Sequence, residues 1–398
     1  MIFISLLEVN LNKIKENIFS AKKLLNPKQK LCLVLKANAY GLGARKICKF
    51  ANTFVNYFAV SSYEEFLKIY KISQNPILIL DPVIEKVKLK KAILKGAEIT
   101  ISNKQNLNMI IEIVKKISAV AKVHIAINSG MNRFGFSDLI EIKSILKLIK
   151  DNKKIKLIGV FSHFSMAQNE EFAFFQKQKF NKIKQVFEKE INKPILFHMA
   201  NSCALKNCNC FDMTRVGEFV YLSNNQVLSL KSKIIEIQHV KANESVGYDG
   251  VFKPKTDSKI AIAAIGYGDG IFKKLTGNGE CLICGKRVKI VAVCMDVILI
   301  DISNIQAKIG DEVVLIGKSE GDEIFICEMA NWCDTITYEI IAHLNGRIKR
   351  KYIGENYADN NGKISCKKVN FTWGCSNQTN SCKGKRINFQ YNCLKCFG

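Results

Sequence analysis

Eight short apolar runs between residues 31 and 215, separated by longer and mostly Lys-rich stretches, constrain this chain more than any other feature. The runs are LCLVLK (31–36), YFAV (57–60), ILIL (77–80), EITI (98–101), VHIAI (123–127), KLIGVF (156–161), ILFHM (195–199) and FDMTR (211–215). Stretches 64–72, 104–118, 138–151 and 171–190 carry apolar residues at mixed spacings of three and four, which predicts helices. A strand followed by a helix, repeated, makes a parallel sheet, because each helix returns the chain to the starting edge. Eight such units predict a closed (β/α)8 barrel over 11–228. All strands of such a barrel end on one face, so residues far apart in sequence can line one pocket. Lys36, Asn128 with Arg133 close behind, His163, Asn201 with Ser202, and Arg215 stand at those ends.

After about 230 the texture changes. KIIEIQHVKA, KIAIAAIGYG, ECLICGKRVKIVAV, VILIDIS and DEVVLIG are strand-like, and helix patterns are scarce until 328–345. This predicts a second, mostly β domain over 229–353. The opening FISLLEV is expected to pair into it, so that residues 1–10 form a strand of that domain and a helix over 11–25 starts the barrel. From 354 to 398 the sequence turns Asn-, Lys- and Cys-rich with few aliphatics, which reads as a disordered appendage. Its final C-x2-C suits zinc locally, but Cys375 and Cys382 are too far apart for the first pair, so no metal site is expected. No repeat of 20–50 residues is present.

Composition narrows the class. The chain has 398 residues, 48% of them hydrophobic, enough for about two domains. No apolar run reaches membrane-spanning length, and MIFISLLEVNLNK has no basic leader or cleavage site, so a cytoplasmic protein is expected. Fifteen cysteines in a chain of this length read as reduced thiols. The CLIC pair, Cys281 and Cys284, reads as packed free thiols in a strand. The net charge is +25, but the lysines are spread along the whole chain without a nucleic-acid motif. They read as exposed helix faces, and no specific nucleic-acid partner is expected. GYGDG (266–270) is too short for a dinucleotide fingerprint.

LVLKANAYGLG (33–43) ends an apolar run on a lysine, followed by a loop at Asn38, Tyr40, Gly41 and Gly43. Lys36 there is either a solvated strand end or a nucleophilic amine whose pKa burial has lowered. Tyr40, Ser202 and Gly217 are candidate phosphate ligands, the last in TRVGE after the eighth strand, where barrels commonly bind phosphate. A lysine and a phosphate cradle on one barrel face point to pyridoxal 5'-phosphate.

With these motifs in place, the chain resembles the alanine racemases, pyridoxal-phosphate enzymes of fold-type III. LKANAYGLG, NSGMNRFGF (128–136), FSHFSMA (161–167), HMANS (198–202), RVGE (215–218), ESVGYDG (244–250), IGYGDG (265–270), VCMDVILIDI (293–302) and ITYEIIAHLNGRIKR (336–350) match family motifs in order. The resemblance implies that Lys36 carries the cofactor and serves as one proton-transfer base. Tyr248 would be the other, on the opposite face. A free tyrosine titrates near pH ~10, so a cationic neighbour must lower it. His163 would lie within hydrogen-bond reach of Tyr248, with Arg215 behind it and facing the pyridine nitrogen. Arg133 would bind the substrate carboxylate, Met295 and Asp296 would shape the substrate side, and Tyr267 would narrow the entrance. Tyr40, Ser202, Gly217, Glu218 through its N–H, and Tyr338 would hold the phosphate. His124, His198, His239 and His343 are left as structural. The resemblance also implies a homodimer with shared sites, in which Tyr248, Tyr267, Met295 and Asp296 serve the partner, and a role in supplying D-alanine for peptidoglycan.

Two positions depart from the family's pattern. Ala126 stands where a carboxylated lysine is frequent and Asn128 where aspartate is usual, so Arg133 lacks its customary anion and a chloride or other acceptor is expected beside it. Leu42 replaces a common histidine. Other activities on the same fold stay open at this point: a racemase of broader specificity, a non-catalytic cofactor carrier, which would resemble the barrel alone, and a decarboxylase, which favours an acid where Arg215 stands.

Overall fold

The computed structural model describes residues 4–205, 210–223 and 226–354. The expected appendage lies outside the described residues except for Gly354. The first strand, β1, is Leu6–Asn10. The eight apolar runs become β2 (Lys30–Val34), β3 (Tyr57–Val60), β4 (Ile77–Ile79), β5 (Glu98–Ile101), β6 (Ala121–Ala126), β7 (Ile155–Phe161), β8 (Leu196–His198) and β9 (Met213–Val216). From β2 to β8 each pairs in parallel with the next, and β9 pairs in parallel with β2, Arg215 opposite Cys32. Single bonds close the β8–β9 seam: Asp212 N–H donates to Phe197 O at 2.8 Å and Arg215 N–H to Ala200 O at 3.0 Å. The barrel is the architecture that the alternation predicts.

The strands are almost wholly buried because one face fills the barrel and the other meets the helices. Helices start where a short polar side chain can accept an orphan N–H. Ser62 caps Tyr63–Ile69, Asn103 caps Lys104–Lys115, Asp138 caps Leu139–Lys150 and Asn169 caps Glu170–Glu190. Two further helices, Ala44–Ala51 and Lys86–Leu94, escape the periodicity analysis. The second buries only Leu89, Ala92 and Ile93, so its apolar stripe is too thin to read.

The second sheet holds β10 (Leu228–Val240), β11 (Ser258–Ala263), β12 (Glu280–Ile283), β13 (Lys286–Val293), β14 (Ile298–Asp301), β15 (Glu312–Ser319), β16 (Asp322–Ile324) and β17 (Lys349–Ile353). Strands β10, β11, β14, β13, β12 and β15 pair antiparallel in that order, and β15 pairs again with β10, closing a ring. Strand β1 runs antiparallel to β10 and parallel to β17, with Leu7 opposite Leu230 and Val9 opposite Tyr352. The CLIC expectation is half wrong: Cys281 is buried in β12, but Cys284 is exposed. Cys284 and Gly285 both have positive φ and form the two-residue turn into β13, which turns the second thiol outward. No helix among the described residues is long and apolar enough to cross a membrane.

Candidate active site

Lys36 lies two residues past β2, and the segment after it is not the loop its sequence suggests. Ala37, Asn38, Ala39 and Tyr40 all have φ between 49° and 56°, a left-handed helical turn. Each non-glycine residue there costs about 1–2 kcal/mol. Several bonds hold the turn. Glu65 accepts from Ala37 N–H at 2.7 Å, Asn38 Oδ1 from Ala44 N–H at 2.9 Å, and Tyr352 donates to Leu42 O at 2.9 Å. The C-terminal strand therefore helps to fix the lysine segment.

Around Lys36 the barrel mouth gathers Arg133, His163 and Arg215. Burial, then repulsion from Arg133, lowers the Lys36 pKa against support from Asp81 and Glu65, with a smaller push from Arg215. Arg215 is buried; desolvation pushes its guanidinium down to about 10, so it stays cationic at neutral pH. Its Nη2 donates to Ser162 O at 2.7 Å and to His163 Nδ1 at 3.0 Å. Burial, then Arg215, Arg133 and Lys36, hold His163 well below the ordinary imidazole range. His163 is therefore neutral, with its proton on Nε2. Asn201 Nδ2 lies 3.3 Å from Nε2 and donates to Phe164 O; as an amide nitrogen it has no lone pair to accept the Nε2 proton. The Nε2 proton is thus available to an incoming oxygen. The cation in this group is Arg215, one residue further in than the imidazole.

Arg133 sits at the mouth on the loop that folds back on β6, where Asn128 N–H donates to Phe136 O and Phe136 N–H to Ala126 O. It lines an open cavity of about 250 Å³ with Ala126, Asn128, Phe161 and His163. Its guanidinium lies over the Phe134 ring at 4.9 Å. Among the described residues no carboxylate pairs with it. Asn128 cannot stand in: its Oδ1 accepts from Gly130 and Asn132 N–H and its Nδ2 donates to Asn132.

Beside Lys36, Ser202 Oγ accepts from Gly217 N–H and Phe219 N–H, both at 3.2 Å. A β-carbon at 217 would strike the Tyr40 hydroxyl, so only glycine admits that approach. Tyr338 lies against Tyr40, ring centroids 6.1 Å apart. Burial raises the pKa of both hydroxyls, with the Glu218 carboxylate adding to it, so both remain neutral donors. The Glu218 carboxylate also accepts from the Cys203 thiol at 3.4 Å. Hydroxyls of Ser202, Tyr40 and Tyr338 beside the backbone at Gly217 and Glu218 form a donor set that fits a phosphate, with Lys36 and the donor-only Arg215 further along the same face.

Tyr248, Tyr267, Met295 and Asp296 lie elsewhere. Tyr248 opens the turn Tyr248–Gly250, and Tyr267 and Met295 are tied by their backbones through Gly268 N–H to Met295 O at 2.7 Å. Asp296 pairs with Arg347 at 2.7 Å. No hydrogen bond or ion pair among the described residues links any of the four to Lys36, Arg133, His163 or Arg215. The sequence analysis missed partners of Arg215: His198 and, through it, His124 and Glu98, are joined in one buried chain of bonds. Each is a polar residue within a buried strand, but the sequence does not show that their side chains meet.

Residues 9–225 match the family described as alanine racemase, N-terminal domain, and residues 227–352 that described as alanine racemase, C-terminal domain. An alanine racemase of Caldanaerobacter subterraneus is 34% identical over 368 residues, covering 87% of this chain and 94% of that protein. One of Thermodesulfovibrio yellowstonii is 34% identical over 366 residues, covering 87% and 97%. The crystal structure of alanine racemase from Bacillus anthracis with bound L-Ala-P superposes with a TM-score of 0.84 at 28% identity, covering 90% and 97%.

Proposed function

Because this chain belongs to the alanine racemase family and is itself an alanine racemase, an isomerase of alanine, we propose how its residues perform the reaction. The residues present fit pyridoxal 5'-phosphate: Ser202, Tyr40, Tyr338 and the backbone of Gly217 and Glu218 would hold its phosphate, and Lys36 would anchor it. When bound, it supplies the electron sink that makes the α-proton of alanine removable. Racemisation needs one group to take that proton from one face and another to return a proton from the opposite face. Lys36 serves one face, and burial, by lowering its pKa, eases the loss of the proton that an amine base must shed.

Tyr248 of the partner subunit serves the other face. The Nε2 proton of His163 gives the phenolic oxygen of Tyr248 a donor, and Arg215 behind the ring supplies the positive field. Arg215 can only donate, so a pyridine nitrogen facing it would have to remain an acceptor, which would weaken the electron sink and disfavour transamination. Arg133 binds the substrate carboxylate at the mouth, and the partner subunit's Met295, Asp296 and Tyr267 close the substrate side. The working unit is a homodimer with two shared sites. Its product, D-alanine, is a precursor for peptidoglycan.

The observation that carries this reading is the barrel mouth itself: a lysine of lowered pKa beside a neutral imidazole and a buried guanidinium, all next to a phosphate-fitting cradle. Purified protein loaded with pyridoxal phosphate is expected to convert L-alanine to D-alanine in D2O and to place deuterium at the α-carbon. D-alanine without α-deuterium would reject solvent-exchanging two-base chemistry. Faster turnover of serine than of alanine would favour the broader-specificity racemase.

A further inference from the structure

The roles assigned above leave a run of polar groups inside the barrel unused. Glu98 on β5, His124 on β6 and His198 on β8 are at most 3% exposed. Arg215 Nη1 meets His198 Nδ1 at 2.6 Å, His198 Nε2 meets His124 Nδ1 at 3.0 Å, and His124 Nε2 meets Glu98 Oε2 at 2.8 Å. The proton positions follow from the ends. A guanidinium only donates, so His198 Nδ1 is bare. Burial, Arg215 and His124 hold His198 well below the ordinary imidazole range, so it carries one proton, on Nε2. That proton goes to a bare His124 Nδ1, and His124 in turn offers its Nε2 proton to Glu98. The carboxylate can only accept. Tyr57, which also bonds Glu98, is kept protonated by burial and so donates to it as well.

All three bonds therefore run one way, from Arg215 down to Glu98. Glu98 is the one carboxylate buried within the barrel among the described residues. The backbone is cut to fit this chain of rings: a β-carbon on Gly159 would lie 2.6 Å from His124 Nδ1. Phe161 stacks on His198, centroids 5.2 Å apart and planes 15° from parallel. A merely satisfied polar core would need partners but no common direction.

We propose that Glu98 is a positioning residue for Arg215: as terminal acceptor it fixes the tautomers of His124 and His198, so that His198 presents a bare Nδ1 to the guanidinium. Without that acceptor the buried His124 Nε2–H has no partner, which is costly. The ring is relieved if its proton moves to Nδ1 and is donated to His198 Nε2. His198 must then carry its own proton on Nδ1, facing Arg215, and the guanidinium loses its alignment. A glutamine at 98 behaves differently. Its Oε1 still accepts from His124, and its amide can donate to the Tyr57 oxygen.

The tautomers are a property of the chain alone, whereas their kinetic consequence rests on the proposed role of Arg215. Histidine 15N NMR of the protein loaded with pyridoxal phosphate tests the first directly. In the wild type, His124 and His198 each show a protonated Nε2 and a bare Nδ1. Glu98→Gln keeps that pattern and loses less than about tenfold in kcat. Glu98→Leu moves at least one ring to the Nδ1–H form and lowers kcat by on the order of 100-fold, with KM for alanine within about threefold. A wild-type spectrum with a proton on His198 Nδ1 overturns the proposal whether or not the leucine variant folds. So does Glu98→Leu with unchanged tautomers, or with altered tautomers and undiminished kcat. A wild type that shows these tautomers but does not bind pyridoxal phosphate rejects the proposed function instead.

Discussion

The barrel mouth and the β-domain loops carry similar numbers of reactive side chains and treat them in opposite ways. At the mouth, Arg215 is buried among fixed acceptors, His163 is stripped of its charge and Lys36 has a lowered pKa. On the loops, Tyr248 is 62% exposed, Met295 51% and Tyr267 39%, beside an exposed Val251. Burial is what tunes an amine or an imidazole, since desolvation acts only on groups removed from water. The mouth is therefore chemically prepared within one chain, while the loops offer apolar and phenolic surface left exposed among the described residues. An exposed cluster of this kind suits a second copy, whose arrival would bury the tyrosines and close the mouth together.

Changes at the mouth should cost the most. On the proposed roles, Lys36→Ala would remove both the covalent anchor and one proton-transfer base, and is expected to lower racemisation by at least about 1000-fold. It should also abolish the cofactor absorbance band that borohydride bleaches in the wild type. Near-normal turnover would mean that the prepared region is not where the chemistry occurs.

A smaller effect concerns Arg133, which is exposed in the single chain and pairs with no carboxylate among the described residues. Once partner and substrate enclose it, a guanidinium without an anion would be costly. We expect activity to fall several-fold in chloride-free buffer and to recover with chloride, and bromide to appear beside Arg133 in an anomalous map. Halide-independent activity with an empty map would show that solvent suffices there.

The smallest effect is on stability. His163 and His198 are held neutral in the fold, while the unfolded chain protonates them below pH ~6.5. Their contribution is fully present above that pH and is lost as pH falls, by about 1.4 kcal/mol per pH unit for each ring. Urea unfolding between pH 7 and pH 5 should show this decline, and His198→Gln should flatten it. An identical slope in that variant would place the acid sensitivity elsewhere.

The strands of the barrel were legible because each is a short, mostly apolar run, and Lys36, His163 and Arg215 because each stands at or near the end of such a run. The left-handed turn after Lys36 was not, since three of its four residues, Ala37, Ala39 and Tyr40, have no local preference for that conformation and are held there by Glu65 and the C-terminal strand. Nor was the chain from Arg215 to Glu98. Its members come from β9, β8, β6 and β5, and the direction of their bonds depends on which ring atoms face each other across the barrel. Cys284 was misread because the turn that exposes it requires positive φ at a residue that gives no turn signal of its own.

The central claim is that each working site takes its prepared half from one chain and its exposed half from another. Lys36→Ala keeps Tyr248, and Tyr248→Phe keeps Lys36, and each variant alone is expected to be nearly inactive. Unfolded together in equal amounts and refolded, they should form mixed dimers in half of the population. Each mixed dimer has one site with Lys36 from one chain and Tyr248 from the other, so activity should return to about a quarter of the wild type. No recovery, with mixed dimers demonstrated by mass, would contradict the account and place both residues in a site built by a single chain.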